Sequence, residues 1–179
     1  RPPSWALWGA LLLVVVPAGA VGLRGDDVPA DQPDLTSETR GSLMIIGGYE
    51  RNDNEKIWSE FIELCGGAGA RIAVFPTASD FPLRNGNDLV DHLNDLGADA
   101  FLVPVGIKDF EKVDKDAIDD RQLIEQVRRS QGVFFIGGEQ GRIRDIFLTK
   151  EGGRTAMLEA VWDIYRNGGV VAGSSAGAA

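Results

Sequence analysis

The sequence predicts an α/β fold, a doubly wound parallel sheet with helices on both faces, and three observations carry the prediction. Short runs that are apolar throughout recur between residues 42 and 172, as in Arg71–Phe75 (RIAVF) and Gly132–Ile136 (GVFFI). The stretches between them carry apolar residues at the three-and-four spacing of one helix face. Glycine is abundant, 23 of 179 residues, and many glycines stand at the junctions between the two kinds of segment. Strands without polar alternation are buried on both sides, which a parallel sheet covered by helices explains. Right-handed crossovers then distribute the helices over both faces.

The elements follow in order. Ser42–Gly47 is a buried strand ending in glycine, and Asn54–Ala68 is a helix with Ile57, Trp58, Phe61, Ile62, Leu64 and Cys65 on one side, stopped by Gly66-Gly67. Arg71–Phe75 is the second strand, ended by Pro76. Asn87–Leu96 is a helix presenting Leu89, Val90, Leu93 and Leu96, and Ala98–Val103 is the third strand. Lys108–Asp120 is a charged surface loop with a helical turn. A helix over Arg121–Ser130 leads to the fourth strand, Gly132–Ile136. A helix over Thr155–Arg166, with Met157, Ala160, Val161 and Ile164 in register, leads to the fifth, Gly169–Ala172.

The bulk numbers narrow the function. Apolar residues make up 44% and charged residues 25%, the balance of a globular domain. The net charge of −9 leaves no broad basic surface, which excludes nucleic acid as a partner. A single cysteine, Cys65, forbids an intrachain disulfide and reads as a small buried hydrophobe. No cluster of ligating side chains has metal-site spacing, so no metal is expected.

The ends predict processing and incompleteness. Arg1, the apolar run Trp5–Val16 and the small residues Pro17-Ala18-Gly19-Ala20 have the form of a secretory signal peptide over residues 1–20, too short for a comfortable membrane span. An uncleaved N-terminal anchor is the alternative, and either places the remainder outside the cytoplasm, with no stable membrane partner. Residues 21–41 are polar, with Pro29 and Pro33, and read as a flexible linker. Residues 42–179 are then the N-terminal part of a domain truncated at its C-terminus, expected to be poorly stable and inactive alone.

In a sheet of this kind the chemistry gathers beyond the carboxyl ends of the strands. The strongest signal there is Gly173-Ser174-Ser175-Ala176-Gly177, a G-x-S-x-G run directly after the fifth strand. That is the setting of a nucleophile elbow, where small flanking residues let the chain turn sharply and leave the serine hydroxyl exposed. Ser175 is the candidate nucleophile. The backbone N–H of Ala176, at a helix N-terminus, is a candidate oxyanion donor. Gly47-Gly48 follows the first strand. Gly48 either supplies a second oxyanion donor or simply ends the strand. Gly137-Gly138-Glu139-Gln140 follows the fourth strand. Its glycines admit close approach of a ligand, Glu139 either meets substrate or N-caps the next helix, and Gln140 is suited to bind an amide or carboxylate. The only histidine, His92, falls on the polar face of its helix and reads as a solvated surface residue. The base that a serine nucleophile needs is therefore expected outside this sequence.

Taken together, Met44–Glu50 (MIIGGYE), Phe75–Ser79 (FPTAS), Phe135–Gln140 with Arg142-Ile143, and Gly173–Ala178 (GSSAGA) resemble the cyanophycinase and aspartyl-dipeptidase-like family of serine peptidases. The resemblance implies a class I glutamine-amidotransferase-like fold and an acyl-enzyme on Ser175, with Gln140 lining the substrate pocket. It also implies a histidine and an acid later in the chain, no metal or organic cofactor, a homodimer, and hydrolysis of multi-arginyl poly-aspartate (cyanophycin) to β-Asp-Arg dipeptides. A related aspartyl dipeptidase and a non-catalytic exported binding module are the alternatives. Ser174, Glu139 and Tyr49 stand where the family usually has threonine, aspartate and alanine, which bears on substrate choice more than on reaction type.

Overall fold

A computed structural model describes residues 14–17, 40–48, 54–106 and 116–179. The rest of the predicted leader and linker, Tyr49, and most of the charged segment 108–120 lie outside the described residues. Among the described residues six strands form one sheet: β1 (Val14–Pro17), β2 (Ser42–Ile46), β3 (Arg71–Phe75), β4 (Asp99–Leu102), β5 (Gly132–Phe135) and β6 (Val170–Ser174), in the spatial order β1-β2-β6-β5-β3-β4. The pairs among β2 to β6 are all parallel, and β1 lies antiparallel along β2, pairing Val14 with Ile45 and Pro17 with Ser42.

The described helices connecting the strands are α1 (Glu55–Leu64), α2 (Pro82–Asp95), α3 (Arg121–Arg128), α4 (Gln140–Phe147) and α5 (Ala156–Arg166). Short 3-10 turns occupy Asp116–Asp119 and Ser175–Ala178. Asp120 caps α3, its Oδ1 accepting from the N–H of Gln122 (2.8 Å) and Leu123 (3.2 Å). Thr155 Oγ1 does the same for α5, accepting from the Leu158 N–H at 3.3 Å.

The doubly wound reading is what the side chains build. Successive strand residues face opposite ways, so neighbours in β5 enter different cores. Phe134 joins Met44, Ile46, Ile72, Val74 and Ala172 under α1 and α2. There its ring lies 5.4 Å from Trp58 and 5.5 Å from Phe61. Phe135 points the other way, with Ala73, Phe75 and Val133, under α3, α4 and α5. It stacks on Phe75 at 4.9 Å and meets Phe147 edge-on at 5.5 Å. All of β5 and four of the five residues of β3 are buried, because both strands are central and covered on both sides.

Three local readings change. Helix α2 starts at Pro82 rather than at 87, taking Gly86 into its interior. A β-carbon at Gly86 would strike Leu102 Cδ1, so the glycine serves the packing of α2 on β4 and does not break the helix. His92 is not a solvated surface residue. It is half-buried, lies edge-on to Trp58 at 5.6 Å, and its Nε2 is buried without a hydrogen-bond partner. With α2 in full, His92 follows Leu89 by three residues and flanks the apolar stripe. The chain after Ser174 forms a 3-10 turn where a regular helix start was predicted. Cys65 is buried as expected, and burial pushes its thiol pKa up to about 12. Among the described residues no helix is long and apolar enough to cross a membrane.

Candidate active site

Register sets what can meet at the carboxyl ends of the strands. Ile46 pairs with Ser174 and Phe135 pairs with Gly173, so β6 ends between β2 and β5. The segment leaving β6 is flanked on one side by Gly47-Gly48 and on the other by Gly137-Gly138. Three segments that the sequence offers separately thus form one mouth.

The bend itself is abrupt. Ser174 is extended (φ −115°, ψ 140°), and Ser175 has φ +51°, the only positive φ outside glycine among the described residues. A non-glycine residue in this region carries strain, which surrounding structure must hold in place. The surroundings do so by contact. A β-carbon at Gly137 would stand 2.8 Å from the Ser174 carbonyl oxygen and 3.0 Å from Ser175 Cβ. One at Gly177 would collide with the Phe135 carbonyl, and one at Gly48 would come within 3.4 Å of Ser175 Oγ. Ser175 is nonetheless exposed. A strained serine held between glycine backbones, with its side chain open to solvent, is the geometry of a nucleophile elbow.

Gly48 is adjacent to Ser175, and half-buried Ala176 follows it into the 3-10 turn. Gly138, Glu139 and Gln140 are exposed at the same mouth. Glu139 occupies the N-cap position of α4, but its side chain makes no cap hydrogen bond. It pairs with Arg142 at 3.1 Å. Gln140 is the first residue of α4 and faces solvent. His92 is not brought to the site. Trp58 lines the cavity beneath the elbow, and His92 lies against Trp58 without lining that cavity. Among the described residues no group of histidine, cysteine and acidic side chains has the arrangement to hold a metal ion.

Sequence reasoning assigned no role to Arg142, which ties the mouth together. Its guanidinium donates to the carbonyl oxygens of Ala78 and Ser79, both at 3.0 Å, and reaches Asp80 Oδ1 at 2.9 Å. The Glu139 N–H donates to the same Ala78 carbonyl at 2.9 Å. The loop after β3 is therefore fastened to the start of α4, and the Arg142 side chain is only 13% exposed. The spacing of Glu139 and Arg142, three apart at a helix start, gives their pairing but not the distant carbonyls.

On its other side the elbow borders a cavity of about 270 Å³, lined in part by Ser174, Trp58, Asn85 and Asp88. Ser174 and Ser175 thus divide, one toward this cavity and one toward the mouth.

Comparison with known proteins agrees with this geometry. The model of peptidase family S51 matches residues 43–179. The chain belongs to peptidase family S51. Among its relatives are a cyanophycinase of Geminocystis herdmanii (strain PCC 6308), 30% identical over 145 residues, and one of Synechococcus elongatus, 28% identical over 143 residues. Each alignment takes in 78% of this chain but only 48% and 41% of the relative, so the chain spans less than half the length of these S51 relatives. A solved structure described as a peptidase from an acI-B1 Actinobacterium shares the fold, with a TM-score of 0.57 at 21% identity, over 76% of this chain and 55% of that one.

Proposed function

We propose that this chain is the nucleophile-bearing part of a serine-type exopeptidase acting on cyanophycin. The observation that carries the proposal is the exposed Ser175 at φ +51°, packed between the glycines that follow β2 and β5. Ser175 Oγ attacks the scissile carbonyl. The negative charge that develops on the carbonyl oxygen is met by the backbone N–H groups of Ala176 and Gly48. Collapse of the tetrahedral intermediate breaks the C–N bond, the amine leaves with the proton taken from Ser175, and water hydrolyses the acyl-enzyme to free the acid and restore the hydroxyl. Gly138, Glu139 and Gln140 border the bound substrate, with Gln140 hydrogen-bonding its polar groups.

A serine hydroxyl needs a base. Trp58 stands between His92 and the cavity beside the elbow, so the proposal assigns the base to a part of the protein other than this helix pair. The cyanophycinase relatives support the polymer as substrate, and β-Asp-Arg dipeptides as product are what the family resemblance implies. The apolar run Trp5–Val16 supports export.

The test is release of dipeptide from cyanophycin by the complete protein and by its Ser175→Ala variant. Loss of at least about a thousandfold in kcat with an unchanged circular dichroism spectrum is expected. Near-normal hydrolysis by the variant would overturn the proposal. Turnover of Asp-Xaa dipeptides but not of polymer would replace cyanophycin by short aspartyl peptides.

A further inference from the structure

We infer that the cleft at the amino ends of β5 and β6 binds a small hydroxylated monocarboxylate, an open-chain sugar acid in class, and that Arg129 holds its carboxylate. The inference is independent of the reading of Ser175.

Place and size come first. The cleft encloses about 460 Å³, inside the range of pockets that take a whole small ligand. Helices α1, α3 and α5 all end beside it, at Cys65-Gly66, Arg128-Arg129 and Asn167-Gly168. Ser175 stands beyond the other end of β6, about 15 Å away along the strand. The cleft is therefore separate from the reacting mouth.

Charge sets the sign of the ligand. The described residues lining the cleft include two arginines and no acid, in a chain of net charge −9. Arg128 is already balanced. Its guanidinium meets Glu125 at 3.2 Å and Asp163 at 3.4 Å. Asp163 and Glu159 both meet Arg166, and Glu159 also meets Arg154, so the network sets three arginines against three acids. The Arg129 side chain has no ion pair or hydrogen bond among the described residues, which leaves its positive charge unbalanced. Helix C-termini ordinarily oppose an anion. Here carbonyls of the last turns already accept hydrogen bonds. Ile62 and Glu63 accept from Gly67 and Gly66, Val127 from Ser130, and Ile164 and Tyr165 from Gly169 and Gly168. Arg129 is not consumed in capping them.

The other groups choose among anions. Gln131 Oε1 accepts from the Arg71 N–H at 2.7 Å, which leaves the Gln131 amide N–H groups for a ligand. Exposed Asn167 offers a donor and an acceptor at the rim. These neutral groups suit hydroxyls. The apolar lining is Leu64, Cys65 and Ile164, with no ring on which a base or an aromatic acid could stack. A phosphate is best met by free backbone N–H groups, and those of Gly66, Gly168 and Gly169 are spent. A planar carboxylate needs only the guanidinium fork.

The test is calorimetric titration of the complete protein with D-gluconate, glucitol, acetate and inorganic phosphate at constant ionic strength. Gluconate should bind one to one and raise the melting temperature as its concentration rises. Glucitol, which lacks the charge, acetate, which lacks the hydroxyls, and phosphate should each bind at least about tenfold more weakly. Arg129→Gln should weaken gluconate binding at least about tenfold with an unchanged circular dichroism spectrum. Arg129→Lys should recover only part of the loss, because an ammonium lacks the planar fork. Arg121→Gln, at the opposite end of α3, should bind as the wild type does, and so should Ser175→Ala. Absence of gluconate binding, or binding that Arg129→Gln leaves intact, overturns the site. Acetate, glucitol or phosphate matching gluconate overturns the hydroxylated carboxylate as its ligand. Loss of gluconate binding in Ser175→Ala would put the ligand in the mouth and overturn the site as well.

Discussion

A β-carbon on Gly137 would stand 3.0 Å from Ser175 Cβ, so the loop after β5 and the bend after β6 touch with no side chain between them. Gly137→Ala should therefore push on the one residue whose backbone is already strained. The carbonyl of Ser174, 2.8 Å from the same point, cannot rotate away as a side chain could. We expect a stability loss of about 1–3 kcal/mol, the usual cost of overpacking, and a loss of turnover larger than that stability change explains. Denaturant unfolding and peptidase assay of the same preparation check the two.

Replacement of Ser175 separates strain from chemistry. Ser175→Ala retains a β-carbon at φ +51°, whereas Ser175→Gly removes it. Both variants should be inactive under the proposed mechanism. Ser175→Gly should be the more stable of the two, by up to about 1 kcal/mol, because glycine adopts positive φ without steric cost. Equal melting temperatures for the two would show that the bend holds no strain at this residue.

Arg142→Met keeps most of the side-chain volume and removes the donors to Ala78, Ser79 and Asp80. Two carbonyl oxygens then lose charge-assisted hydrogen bonds, at a cost of about 2–4 kcal/mol. The Asp80 contact contributes little to that figure, since its carboxylate is 66% exposed. The loop after β3 should exchange its amide protons faster than in the wild type, which hydrogen-exchange mass spectrometry resolves.

Cys65 gives a pH dependence with a definite sign. Its thiol is raised from 9.0 to about 12 by burial, so between those values the unfolded state has released a proton that the folded state keeps. Stability must then decline with rising pH in that window, by at most about 1.4 kcal/mol per pH unit, and be indifferent to this group below pH 8. Cys65→Ala should flatten that part of the curve relative to the wild type. The thiol should also resist an aromatic disulfide reagent at pH 8 until the protein unfolds.

The sequence made the architecture legible because strand burial and helix periodicity are written in consecutive residues. RIAVF and GVFF have no polar alternation, and both prove to be central strands. The sharp bend after β6 was legible for a related reason, since G-S-S-A-G carries its own steric logic. What escaped depended on partners far away in the chain. Gly86 looks like a helix boundary until Leu102 is placed against it. His92 looks solvated until Trp58 of α1 arrives beside it. Arg142 draws its role from carbonyl groups 63 and 64 positions earlier, which no local pattern records. The cavity beside Ser174 likewise needs α1, α2, β5 and β6 at once.

The rim closest to Ser175 is made of main chain, from Gly48 on one flank to Gly137 and Gly138 on the other. Main chain is indifferent to the identity of an approaching residue, so under the proposed function discrimination among substrates falls one layer further out, on the exposed turns of α2 and the head of α4. Those surfaces are free to vary while the reacting centre keeps its shape. A preference for new peptides should therefore be attainable by exchanging a handful of outward-facing positions, with the bend that holds the serine left as it is.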